Sequence, residues 1–286
     1  MTPTRTLTAH CTLSQDGLPL LTIDNEHARA EISLFGAHVL RYQRHGEPAS
    51  LWLSDKAILD GSKPIRGGIP LCWPWFGPSS ARVGSGKPAH GFARNCLWTL
   101  DGVSDHGDGT LVHLSLRDND ASRTLWPHAF ELELDVLVGK ELSLVLTTRN
   151  TGKSALTYNA ALHTYLQISA PEAVTVTGLG EPYLDKLTGR NELQQGALTV
   201  TAAMDRIYRQ PDAMVSVQDG ERTTRVVNGN HDSVVVWTPW QEGASAMADM
   251  SDDGYRTMLC VEAAITAEDG ITVPPDEEHS FSTVII

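Results

Sequence analysis

The chain has 286 residues, with 22 Lys and Arg against 35 Asp and Glu, which gives a formal net charge of −13. That acidic balance speaks against nucleic-acid binding or attachment to an anionic membrane surface, since either asks for a basic face. With 41% hydrophobic and 20% charged residues, the chain can bury a large core, which excludes disorder as its main state.

No stretch approaches 18 uninterrupted apolar residues, so no membrane-spanning helix is expected. The opening MTPTRTLTAHCTLSQDG has no apolar run of the secretory kind. Cys11, Cys72, Cys96 and Cys260 lie far apart, without a C-x-x-C pair. They read as buried free thiols of a reducing compartment, and a cytoplasmic location is expected.

In chain order, a turn is predicted at 44–48. The glycine- and proline-rich segment 61–88 holds six of the 24 glycines and five of the 15 prolines, and a long ordered loop of this kind is usually functional. A turn at 105–109 leads into a strand at 111–117. In the run 131–138, Leu132, Leu134, Val136 and Val138 share one face at the two-residue strand period. Strands also read at 142–149, 156–169, 173–177 and 233–238, with turns at 150–153 and 228–230. One short amphipathic helix is predicted at 242–249. Many short strands separated by turns imply an all-β sandwich or barrel. No linker, repeat or shift of composition divides residues 1–286, so a single domain is expected.

Several constellations carry chemistry. Between Asp60 and Asp101 there is no acidic residue, yet Lys63, Arg66, Arg82, Lys87 and Arg94 are all basic. This cationic island in an acidic chain suits an anion, and arginine suits phosphate through paired charge-assisted hydrogen bonds. Gly67-Gly68 would let backbone approach a ligand closely, and Trp73, Trp75 and Trp98 offer flat faces on which a sugar could rest. The plainer alternative is a rigid loop packed by aromatics, with surface arginines. His163 shares a strand face with Ala161 and Tyr165, and a lone strand histidine is ordinarily structural. Glu262 interrupts the apolar run MLCVEAA. A carboxylate there must face water, meet a cation or serve a site. Facing one cleft, His163 and Glu262 would form a general acid–base pair. Asp205 could accept hydrogen bonds from sugar hydroxyls or equally pair with Arg206 or a turn backbone, and Trp240 is more often a core residue than a stacking platform. No metal-ligand spacing, G-x-S-x-G or Walker pattern is present, so neither a metal nor another cofactor is expected.

Taken together, AEISLFGAHVL from Ala30, LWLS from Leu51, IRGGIPLCWPWFGP from Ile65, PAHGFARN from Pro88, LHTYL from Leu162, MDRIY from Met204, VVWTPW from Val235, MADMSDDGY from Met247 and CVEAA from Cys260 resemble the aldose 1-epimerase superfamily. The RGGIP-to-HGFARN stretch resembles its hexose-6-phosphate mutarotase branch in particular. Thr238 and Met204 depart from the residues frequent there. The resemblance implies an antiparallel β-supersandwich of the galactose mutarotase type. It implies interconversion of the α and β anomers of a hexose 6-phosphate, with His163 as general acid and Glu262 as general base. Arg66, His90 and Arg94 would belong to the substrate and phosphate pocket, and Asp205 and Trp240 would line the sugar site. The implied partner is a small hexose phosphate, with no cofactor, and a monomer is expected. The competing readings are a mutarotase for unphosphorylated aldoses such as galactose and a non-catalytic carbohydrate-binding protein on the same fold.

Overall fold

The computed structural model describes residues 4–78 and 84–286. Arg82, part of the cationic island, lies outside the described residues. Strands form where the alternating pattern is punctuated by turn residues. Phe130–Gly139 buries Phe130, Leu132, Leu134, Val136 and Val138 on one side, as expected where one face of an antiparallel sheet is covered. It pairs with Leu142–Asn150 and with Gly109–Arg117. These three strands belong to a nine-stranded sheet that runs from Leu198–Thr199 at one edge to Thr99–His106 at the other.

A second large sheet carries Pro182–Asp185, Met204–Tyr208, Ser233–Thr238, Met258–Ile265 and Ala160–Leu162 side by side, all antiparallel. A five-stranded meander, from Arg5–Thr6 to His38–Arg44, forms a third layer. One continuous hydrophobic cluster joins all three: Leu134 and Leu146 from the first sheet, Val236, Leu259 and Val261 from the second, and Ile32 and Val39 from the meander. Burial of such inward faces is the dominant favourable term in folding. The result is the expected all-β supersandwich.

Met258–Ile265 is buried along its whole length. Leu259, Val261, Ala263 and Ile265 enter the shared core. The alternate residues, Met258, Cys260, Glu262 and Ala264, face the other way. There Met258 and Cys260 pack with Trp52 and Tyr165, while Ala264 packs with Cys72, Ala161 and Val235. This outer face is roofed by loops, and Glu262 is held within it.

Two expectations are corrected by backbone detail. The run 156–169 is not one strand but three: Leu156–Tyr158, Ala160–Leu162 and Tyr165–Gln167. Both sides of His163 keep one register on Met258–Ile265, but the strand is interrupted where Thr164 N–H donates back to the Leu162 carbonyl. His163 N–H donates to the Pro70 carbonyl and Tyr165 N–H to the Gly68 carbonyl, both in the glycine-rich loop. The predicted helix at 242–249 lies earlier, at Trp240–Ser245.

Candidate active site

A cavity of about 530 Å³ opens on the outer face of the second sheet. Its floor is the pair His163 and Glu262, with Nε2 and Oε1 3.3 Å apart. Antiparallel register brings them together: Leu162 lies opposite Ala263 and Tyr165 opposite Cys260, so His163 falls beside Glu262. The imidazole stacks on Tyr165, with ring centres 4.9 Å apart and planes 14° apart, and meets Trp237 edge-on. Both groups are almost entirely buried. Burial pushes the His163 imidazole well below its usual range, and neighbouring His90, Arg94 and Arg66 push the same way. Burial also pushes the Glu262 carboxyl well above its usual range, with Asp205 adding to the effect and Lys186 and Arg94 opposing it. Both are thus drawn toward neutral forms in the closed pocket. Among the described residues His163 Nδ1 and Glu262 Oε2 have no hydrogen-bond partner.

The walls come from loops whose shape depends on glycine. Gly67 and Gly68 have φ of 113° and 62°, a region that favours glycine. A Cβ on Gly67 would lie 2.6 Å from the Trp52 carbonyl oxygen, and one on Gly68 would lie 2.2 Å from that of Val39. The pair therefore lets backbone approach backbone, not ligand, which corrects the sequence-based expectation. His38, fully buried, donates from Nε2 to the Gly67 carbonyl at 2.7 Å and fixes the same turn. The three tryptophans of this region are likewise structural. Trp73, Trp75 and Trp98 are buried, with their indole N–H groups donated to Thr148, Pro88 and Ala93.

Arg66 lines the cavity but is engaged. Its Nε and Nη2 lie 3.2 Å from one Asp249 carboxylate oxygen, and Nη1 donates to the Tyr165 hydroxyl at 3.2 Å. Arg94 is freer: Nη2 donates to the Ala89 carbonyl at 2.9 Å, while its buried Nε has no partner. His90, at φ 61°, accepts from Gly77 N–H on Nδ1, which leaves Nε2 as its donor. Burial drives its pKa down to about 3, helped by Arg94, Lys186 and Arg66. Asp205 accepts from Lys186 Nζ at 2.8 Å, and that ammonium sits 5.3 Å from the centre of the Phe76 ring.

The structure thus gathers His163, Glu262, Arg66, His90, Arg94 and Asp205 around one cavity. Trp240 is the exception. It packs on Tyr255 and does not line the cavity; it opens the helix Trp240–Ser245 with a φ of 58°. Trp237 lines the cavity instead. Lys63, a member of the cationic island, lines the cavity too, whereas sequence reasoning passed over Lys186 and Asp249. Asp249 lies within the quoted segment MADMSDDGY, and its acid between two apolar residues was the available signal. Lys186, in a short turn, had none.

With the fold and cavity in view, residues 19–285 match the family model described as aldose 1-epimerase, and the chain belongs to that family. A Salmonella typhimurium protein that bears the provisional name glucose-6-phosphate 1-epimerase is 38% identical over 251 residues, covering 86% of this chain and 83% of that protein. An Escherichia coli protein of the same provisional name is 36% identical over 88% of this chain and 85% of its own length. The solved structure of a Salmonella typhimurium protein provisionally described as a mutarotase superposes with a TM-score of 0.93 at 33% identity, covering 99% of this chain and 96% of that one. Galactose 1-epimerase of Lactobacillus acidophilus, at 14% identity, shares the fold with a TM-score of 0.72 over 98% of both chains.

Proposed function

We propose that this protein interconverts the α and β anomers of a hexose 6-phosphate, glucose 6-phosphate foremost. The observation that carries the reading is the buried His163–Glu262 pair at 3.3 Å, on the floor of a cavity also lined by Lys63, Arg66, Arg94 and Lys186. The names borne by the 36–38% identical relatives support the same substrate.

Mutarotation needs little beyond such a pair. Glu262 takes the proton from the anomeric hydroxyl as His163 gives one to the ring oxygen. The bond from C1 to the ring oxygen breaks as the C1 carbonyl forms. Rotation about C1–C2 presents the other face, and closure reverses both transfers. The pair shares a single proton, and the reacting form is the one in which it sits on His163 and leaves Glu262 free to accept; it is restored after each cycle. General acid–base transfer of this kind contributes about 10²–10⁴-fold per group. In this reading His90 Nε2 and Asp205 receive sugar hydroxyls, Trp237 the ring face, and Arg94, Lys63 and Lys186 the phosphate. In this reading residues 1–286 act as one mutarotase-like domain. Among the described residues no helix is long and apolar enough to cross a membrane.

NMR exchange spectroscopy on equilibrated glucose 6-phosphate, with glucose and galactose in parallel, tests the proposal. Exchange enhanced most for the phosphate is expected. Equal or greater enhancement for galactose would replace the substrate assignment, and no enhancement for any sugar would favour a binding protein.

A further inference from the structure

The outer face of Met258–Ile265 presents a third group beside the pair. Cys260 precedes Glu262 by two residues, so both side chains leave the same face of the strand. Tyr165 lies opposite Cys260 in register, and His163 projects from the same segment. One ligand atom each from His163, Cys260 and Glu262 lie within 4.8 Å of one another, and the imidazole-to-carboxylate distance is 3.3 Å. Bonds of about 2.0–2.3 Å in a tetrahedral site put ligand atoms roughly 3.3–3.7 Å apart, so seating an ion needs a shift of about 1 Å at the sulfur. The second observation is an unsatisfied demand for partners. Among the described residues Glu262 Oε2 is buried and without a hydrogen-bond partner, a costly arrangement unless something fills it.

We propose that a thiophilic divalent cation of the Zn²⁺ class binds between His163, Cys260 and Glu262 as a reversible inhibitor. Sulfur, imidazole and carboxylate together suit Zn²⁺, Co²⁺ and Cd²⁺, and not Mg²⁺ or Ca²⁺. Thiolate and carboxylate balance the charge of the ion, and two protons leave to solvent as it enters, one from the thiol and one from the His163–Glu262 pair. The fourth position faces the cavity, open to water or a sugar hydroxyl. An ion so held occupies both groups assigned to proton transfer, so anomer exchange stops. The inhibitory half of this inference rests on the function proposed above, whereas the binding half does not.

The test separates the two halves. The metal-free full chain is titrated with Co²⁺, and the thiolate-to-cobalt charge-transfer absorption is followed in the near ultraviolet. A saturable one-equivalent band, displaced by Zn²⁺ and untouched by Mg²⁺, is expected for the wild type. Cys260→Ser and Cys260→Ala should lack the band while keeping exchange without added ion. They should also need at least tenfold more Zn²⁺ for half inhibition. Cys72→Ala, which removes a nearby thiol from the same side of the sheet, should leave band and inhibition unchanged. A chelator should restore inhibited wild type in full. Absence of the band in wild type, its persistence in both Cys260 variants, or unchanged Zn²⁺ sensitivity in them would overturn the site. A band in a protein that enhances exchange of no sugar would leave the ion site standing and remove the functional reading.

Discussion

Arg66 and Arg94 both line the cavity, yet their surroundings predict different consequences when each is truncated. Among the described residues Arg94 has a buried Nε without a partner and one hydrogen bond, to the Ala89 carbonyl. Its guanidinium can therefore turn donors to a phosphate. One charge-assisted hydrogen bond contributes about 1.5–3 kcal/mol, or roughly 10–150-fold at 1.4 kcal/mol per tenfold. Arg94→Ala should lower kcat/KM for glucose 6-phosphate by that factor and leave free glucose nearly unchanged, with a penalty that shrinks as salt screens the attraction. Arg66 spends its donors on Asp249 and on Tyr165, the ring on which His163 stacks. Its truncation strands a mostly buried carboxylate and frees that ring. Breaking a fully buried pair costs about 3–5 kcal/mol. With the side chains 27% and 15% exposed, a loss of roughly 1–3 kcal/mol in stability is expected once screening is allowed for. Arg66→Ala should therefore lower Tm by several degrees and reduce exchange of both sugars by a common factor. Measuring both sugars with both variants by exchange spectroscopy decides the matter. Equal losses in Arg94→Ala, or a phosphate-selective loss in Arg66→Ala, would refute this division of labour.

Glu262→Gln and His163→Ala should each reduce exchange by about 10²–10⁴-fold with circular dichroism unchanged, and the double variant should lose little more, because the two act as a unit. Near-wild-type exchange in either single variant would remove that residue from the mechanism. Stability should fall in acid because of His38, whose burial, only partly opposed by its bond to Gly67, brings its pKa to about 4. The unfolded chain takes up this proton near pH 6.5 while the folded one does not. The contribution is thus full above pH 6.5 and lost between there and pH 4, up to about 3 kcal/mol at 1.36 kcal/mol per unit. His38→Gln, which keeps a donor for Gly67, should flatten that slope in urea titrations, and an unchanged slope would contradict the assignment. Gly68→Ala should destabilise by more than about 2 kcal/mol in chemical denaturation, since its Cβ would lie 2.2 Å from the Val39 oxygen. A midpoint equal to wild type would show that the loop yields.

The strands were legible because period-two alternation depends only on which face is buried. That is why 130–139 reads at sight and why 156–169 does not, since the bond from Thr164 N–H back to the Leu162 carbonyl interrupts it. Glu262 was conspicuous as a carboxylate in an apolar strand, and the surrounding cations and imidazole explain how it is tolerated. His163 gained meaning only from register, which spans nearly a hundred residues of chain. Lys186 and Asp249 reach the cavity through loop geometry alone, and no local pattern announces a side chain that tertiary contacts turn inward. The same cause defeated the aromatic reading: Trp237 stands on the strand Ser233–Thr238 and lines the site, whereas Trp240 belongs to the helix that follows and does not.

The two proposed proton-transfer groups stand on one pair of hydrogen-bonded segments in the centre of a sheet, while the cations around them come from loops. Reaction and recognition are therefore inherited from separate parts of the architecture. The separation is not complete: Lys186 and Arg94 also oppose the upward push of burial on the Glu262 carboxyl, so loop changes aimed at a new anomeric substrate must keep positive charge beside that strand.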